Sequence, residues 1–291
     1  RIYWVGTRFM NSYRNMKIIR GILLAVTIAC LVLLGQAYYS SFRQRQQAKA
    51  LKEMREMIEP EPLEIAREPA VLENGSVPRE ASEPAEELPT KPEDPPPPLL
   101  EKYAALYEEN HDLAGWLSIE GMVIDYPVMQ CEDDEYYLHH DFYGNDSKYG
   151  CLYVRGVADV DTPGTNFIIY GHNMKDGSMF GDLDLYRRES FYREHPTISF
   201  DTLYEERTYE IIAVFRSQVY HSGEDAFRYY QFYEAQTQEE FAYFYENIKE
   251  LALYDTGVTA EFGDTFLTLS TCAYHVEDGR FVVVAKAVSA I

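Results

Sequence analysis

Thr265-Phe266-Leu267-Thr268-Leu269-Ser270-Thr271-Cys272, then a gap of seven residues, then Arg280-Phe281-Val282-Val283-Val284-Ala285-Lys286-Ala287-Val288: the reading of these two runs decides the fold. Both are β-branched and apolar, and Gly263-Asp264 bounds the first upstream, so each reads as a short buried strand. The first run delivers a lone cysteine at its end, and Arg280 stands at the mouth of the second. Two adjacent strands of this kind present a thiol and a guanidinium at neighbouring ends of one sheet.

Working upstream, further strands are expected at 116–119, 122–129, 151–154, 166–170, 197–200 and 207–216, separated by turn chemistry such as Glu120-Gly121 and Asp161-Thr162-Pro163-Gly164. With the two terminal runs this makes eight strands, and the expected architecture is a mainly β barrel or sandwich with helical insertions. Leu99, Leu100, Tyr103, Leu106 and Tyr107 have helical spacing, in a helix expected over 99–107 and closed off by Gly115-Trp116. In the long insertion before the cysteine strand, Thr237-Gln238-Glu239-Glu240 reads as a capping box. Phe241, Phe244, Tyr245, Ile248 and Leu251 then fall on one helical face, as a packing stripe rather than a ligand platform.

The N-terminal part has a different character. Residues 1–49 carry eight Lys or Arg and no acid, whereas the remainder of the 291 residues holds 18 basic against 48 acidic side chains. A body with a net charge of −30 argues against a nucleic-acid backbone as partner. Residues 21–42 are free of charge, long enough for a membrane-spanning helix with Tyr38 and Tyr39 in the interface. Five positive charges precede this segment, so the reading is a cytoplasmic basic segment 1–20, an anchor 21–42 and the remaining chain outside. The alternative is a cleaved signal peptide with Gly35-Gln36-Ala37 as its small-x-small site, but the basic region before the apolar core is long for a signal. Residues 53–98 hold 11 of the 14 prolines and many Glu, so 43–98 is read as a solvated Pro/Glu-rich spacer, in which 48–58 can continue as helix. The folded part is then 99–291.

Four cysteines are too few for a disulfide scaffold at this length. Cys30 lies in the apolar segment, and whether Cys131 and Cys151 pair is open from sequence. A cysteine nucleophile needs its thiolate, which a nearby imidazole supplies by taking the proton or pairing with the sulfur. Seven histidines are available: 111, 139, 140, 172, 195, 221 and 275. His172 ends the run Asn166-Phe167-Ile168-Ile169-Tyr170-Gly171 as Cys272 ends its own, which favours it without excluding the others. Arg280 reads equally as an exposed partner of Glu277 or Asp278 and as a fixed donor beside the thiol.

Taken together, Asn166 to Met174 with His172, the Leu-Ser-Thr-Cys ending at Cys272, and Arg280 before a valine-rich strand closely resemble sortases, membrane-anchored cysteine transpeptidases of Gram-positive bacteria. The segments 125–130 and 136–142 and the helix before the cysteine strand resemble class B in particular. The resemblance implies an eight-stranded sortase β-barrel over about residues 100–290, with Cys272 as nucleophile, His172 as general acid and base, Arg280 as substrate and oxyanion ligand, and Ser270 lining the substrate groove. It also implies cleavage of a sorting signal after Thr through a thioester, and transfer of the surface protein to a peptidoglycan-precursor amine by a monomeric enzyme with no cofactor and no metal. Its alternatives are hydrolysis of the same signal by a cysteine endopeptidase, pilin polymerisation and, outside catalysis, a tethered interaction domain. Two departures stand out: Ala273 follows the cysteine where some relatives carry an acid, and Asp133-Asp134 stands where Asp-Asn is commoner, which puts a substrate contact from that loop in doubt.

Overall fold

The valine-rich run can be apolar without a break because both of its faces are buried. In the computed structural model, which describes residues 3–57, 98–221, 223–273 and 276–288, it forms strand β8 (Gly279–Ala287), lying antiparallel to β7 (Phe266–Cys272). Phe281, Val283 and Ala285 point into the barrel, while Val282 and Val284 point outward under a covering helix. A continuous apolar strand is the expected signature of a sheet covered on both sides.

Eight strands close into one barrel in the order β1-β2-β3-β4-β7-β8-β6-β5. The others are β1 (Leu113–Ser118), β2 (Asp125–Met129), β3 (Leu152–Tyr153), β4 (Asn166–Tyr170), β5 (Thr197–Thr202) and β6 (Thr208–Gln218). All eight expected strands are present, with shifted ends. β1 starts three residues early because Gly115, read as a helix terminator, lies inside the strand, where a Cβ would collide with the Asp201 carbonyl and the Phe200 ring. β3 shrinks to two residues, and β2 begins only after the turn at Gly121, whose φ of +77° suits glycine. β4 and β7 run parallel, so they finish at the same end of the barrel.

Among the described residues the barrel is accompanied by helices α1 (Tyr3–Glu56), α2 (Glu101–Glu109), α3 (Tyr136–His139), α4 (Glu189–Glu194) and α5 (Gln238–Leu251), with 3-10 segments at Gly181–Arg187 and Tyr229–Gln231. On α5 the Thr237 hydroxyl accepts the Glu240 N–H, as the capping box requires, but the Glu240 carboxylate reaches one residue further back, to the N–H of Gln236. Phe241, Phe244 and Ile248 are buried against Phe266, Val282 and Val284. Each such side chain removed from water stabilises the fold by roughly 1.5–3 kcal/mol. Leu251, expected on the same face, is 40% exposed as the last residue of the helix.

Helix α1 does not stop where the apolar run stops. It continues through 43–56, so this part of the segment read as spacer is helical, and it lies against the barrel wall. Leu51 is buried beside Tyr103 and Leu106 of α2 and Trp116 of β1. Asp125, at the start of β2, accepts from Lys52 at 2.6 Å, Arg55 at 2.9 Å and Trp116 Nε1 at 2.7 Å, and the Arg55 guanidinium lies 4.6 Å from the centre of the Trp116 ring. The remainder of the expected spacer, 58–97, lies outside the described residues.

Candidate active site

The register of three neighbouring strands brings together side chains far apart in sequence. Parallel pairing sets Tyr170 of β4 opposite Ser270 of β7, so His172 and Cys272 each stand two residues beyond a matched pair. On the other side of β7, antiparallel pairing sets Cys272 opposite Arg280 of β8. Cys272, His172 and Arg280 line one open cavity of about 430 Å³, and all three are half-buried.

The loop after β4 is tied to the end of β7 by its backbone and by Asn173. The Thr271 hydroxyl donates to the Gly171 carbonyl at 2.7 Å, and Asn173 Nδ2 donates to the carbonyl of Cys272 itself at 2.7 Å. His172 Nε2 lies 2.8 Å from the carbonyl oxygen of Leu138 in α3. A carbonyl only accepts, so Nε2 carries a hydrogen, and Nδ1 is the ring nitrogen left for proton exchange. Arg280 donates to the carbonyls of Asp278 and Gly279 at 3.1 and 3.0 Å, which holds its head against its own turn. Among the described residues it forms no ion pair with Glu277 or Asp278.

Aromatic hydroxyls dominate the rest of the wall: Tyr153, Tyr170, Tyr229 and Tyr230 join Leu138, Arg155 and Val219. The Tyr153 and Tyr170 rings stack at 5.5 Å because their residues pair across β3 and β4. Burial pushes the Tyr153 hydroxyl up to about 12 and raises those of Tyr170 and Tyr229, so these phenols stay neutral beside the guanidiniums of Arg155 and Arg280. Ser270 also lines the cavity, yet it is 2% exposed and its hydroxyl shares a 2.7 Å hydrogen bond with Tyr229. Asp134 of the Asp133-Asp134 pair receives Arg155 Nε at 2.7 Å and the Gly156 N–H at 2.8 Å, so this loop is clamped to the rim of the cleft.

Of the other described histidines, His139 and His221 are exposed and absent from the cavity lining, and three have local partners. His140 stacks on Tyr136 and bonds its carbonyl, His195 bonds the Glu120 carbonyl, and His111 packs on Tyr107. His275 lies outside the described residues. Cys131 and Cys151 are free thiols, and burial raises the pKa of both. No three His, Cys, Asp or Glu side chains are grouped to hold a metal among the described residues. Sequence reasoning missed Tyr153, Asn173, Arg155 and the tyrosines of 229–230. Tyr153 and Tyr170 carried a signal, since each ends a strand; Asn173 and Arg155 lie in loops, where no periodicity speaks.

Residues 117–288 match the family model for the sortase domain. The chain is 34% identical over 190 residues to sortase B of Listeria monocytogenes, a match spanning 63% of this chain and 73% of that protein. It is 28% identical over 187 residues to sortase B of Staphylococcus aureus, spanning 64% and 74% respectively. Among solved structures, sortase B from Bacillus anthracis in complex with AAEK1 superimposes with a TM-score of 0.57 at 34% identity, covering 66% of this chain and 90% of that one. The Staphylococcus aureus sortase B–substrate complex gives a TM-score of 0.59 at 26% identity, covering 65% and 86%.

Proposed function

From the premise that this chain belongs to the sortase family, class B, and is therefore a cysteine transpeptidase of cell-wall sorting, we propose that Cys272, His172 and Arg280 carry the reaction. The observation behind this assignment is the shared register: three strand ends bring a thiol, an imidazole and a guanidinium to one cavity. The Cys272 thiolate attacks the Thr carbonyl carbon of a sorting signal of the Leu-Pro-x-Thr-Gly or Asn-Pro-x-Thr-Asn kind, forming a C–S bond and an oxyanion. The oxyanion collapses and breaks the C–N bond, and the departing amine takes its proton from the imidazolium of His172. An amine of a peptidoglycan precursor then attacks the thioester, forming a new C–N bond, releasing the thiolate and returning a proton to His172.

Arg280 stabilises the oxyanion and holds the substrate backbone, a role suited to a fixed guanidinium facing Cys272 across the β7–β8 pair. Ser270 shapes the groove from behind, through its bond to Tyr229, rather than by offering a free hydroxyl. The tyrosine-rich wall suits an extended peptide whose backbone and amide groups need neutral hydrogen-bond partners. The single helix that is long and apolar enough to cross a membrane among the described residues supports a single-pass anchor, with 1–20 cytoplasmic and the barrel outside.

The test incubates the full-length enzyme in detergent with a panel of sorting-signal peptides, with and without a small amine nucleophile, and reads the products by mass. The expected result is cleavage after Thr, an amine adduct when the nucleophile is present, and neither with Cys272→Ala. Release of free acid alone, undiminished by added amine, would replace transpeptidation by hydrolysis. Cleavage that survives Cys272→Ala would remove the thiol from the mechanism.

A further inference from the structure

Helix α1 runs unbroken from the apolar run to its contacts with the barrel, and those at Ser41 and Gln44 fall on the loop that follows His172. The hydrocarbon core of a bilayer takes about 20 helical residues, so a span beginning at Gly21 ends near Ser40, with Tyr38 and Tyr39 at headgroup level. Both tyrosines are exposed, 76% and 66%, and so face away from the barrel. Just beyond them the Ser41 hydroxyl donates to Asp176 Oδ2 at 2.6 Å, and Gln44 Nε2 reaches Met179 Sδ at 3.7 Å. Asp176 and Met179 belong to the loop that follows His172.

A cavity of about 440 Å³ lies between the two. Ala37 and Ser41 of α1 form one side, and Tyr149, Asn173, Met174 and Lys175 line it opposite. Asn173 is the same residue that donates to the Cys272 carbonyl. Asn173 thus both lines the cavity beside the charge-free run of α1 and holds the nucleophile's backbone. Two ammonium groups on this rim, Lys148 and Lys175, are exposed. Of the nearby carboxylates, Asp176 is bonded to Ser41 and Asp141 lies 3.7 Å from Arg43, while Asp146 stays exposed beside His140.

We propose that the barrel rests on the lipid headgroup layer, with the loop 172–180 at headgroup depth and Lys148 and Lys175 meeting lipid phosphates. Docked α1 sets this depth, so the cleft opens at the bilayer surface. The proposal rests on the reading of α1 as a membrane anchor, and its test separates the two.

The full-length chain carrying Cys30→Ser, Cys131→Ser and Cys272→Ser is given one new cysteine, Leu31→Cys, Lys175→Cys or Glu250→Cys, and labelled with an environment-sensitive fluorophore. Each protein is reconstituted into vesicles of phosphatidylethanolamine and phosphatidylglycerol containing lipids with nitroxide quenchers at the headgroup or deep in the acyl chain. Expected are deep quenching at position 31, headgroup quenching at position 175 several-fold above that at position 250 on α5, and loss of the signal at 175 alone when Leu51→Glu detaches α1. Quenching at 31 with none at 175 above that at 250 would overturn the surface and leave the anchor standing. No quenching at 31 would overturn both. Persistent quenching at 175 in the Leu51→Glu protein would overturn the role of the docked helix.

Discussion

At the scale of single residues, the cleft depends on where polar atoms are spent. Arg280 faces Cys272 across the β7–β8 pair with a planar fork that a lysine cannot reproduce. Arg280→Lys keeps the charge and loses the fork, and kcat for acyl transfer is expected to fall roughly 10²-fold while the melting temperature stays near that of the parent. An unchanged kcat would show that charge alone suffices. Tyr229 and Ser270 share a buried hydrogen bond behind the cleft. Tyr229→Phe leaves the serine hydroxyl without its partner and is expected to cost about 1–3 kcal/mol in denaturant unfolding. Ser270→Ala is expected to add little on top of it, because the two substitutions delete one interaction. Full additivity would mean that each hydroxyl serves a different partner. His172 and Cys272 were legible as strand ends from their local patterns. The Ser270–Tyr229 bond was not, since its partners are 41 residues apart and meet only through the barrel.

At the scale of elements, helix α5 and strand β8 were readable because each carries a strong periodic signal matched to its surroundings. The stripe on α5 meets Phe266, Val282 and Val284 of the barrel wall, and Phe244 is 0% exposed beneath it. Phe244→Ala is expected to cost about 3–5 kcal/mol by calorimetry or denaturant titration, far more than an equivalent change at exposed Tyr243. The short strand β3 and the early start of β1 were harder to read. A two-residue strand has no period to detect, and Gly115 is glycine for a reason lying on another strand, the approach of Phe200 and Asp201. The Arg155–Asp134 clamp, which joins two loops at the rim, likewise depends on folding to bring them together.

At the scale of the whole molecule, α1 and α2 close one side of the barrel, and this closure has a pH signature. Burial would raise the Asp125 carboxyl, but the bonds from Lys52 and Trp116 and the charge of Arg55 outweigh it and hold the group below its usual value. A carboxylate with a depressed folded pKa stabilises at pH above its unfolded value, near 3.9, and loses that contribution as pH falls through the lower folded value. A chain beginning at Arg43 is therefore expected to melt higher than one beginning at Pro98. The difference should hold from pH 5 to 8 and shrink below about pH 4; a difference that changed near neutrality would point to another group. The sequence by itself determined the eight strands, the apolar anchor-length run and the strand ends carrying Cys272, His172 and Arg280, because hydrophobic periodicity and turn chemistry act over a few residues. Only the tertiary structure decided that β4 and β7 finish in register, that tyrosines from three separate segments wall the cleft, and that α1 stays docked beyond its apolar run. Those outcomes depend on barrel closure and on side chains such as Leu51 and Asp125 finding partners distant in the chain, which no local pattern encodes.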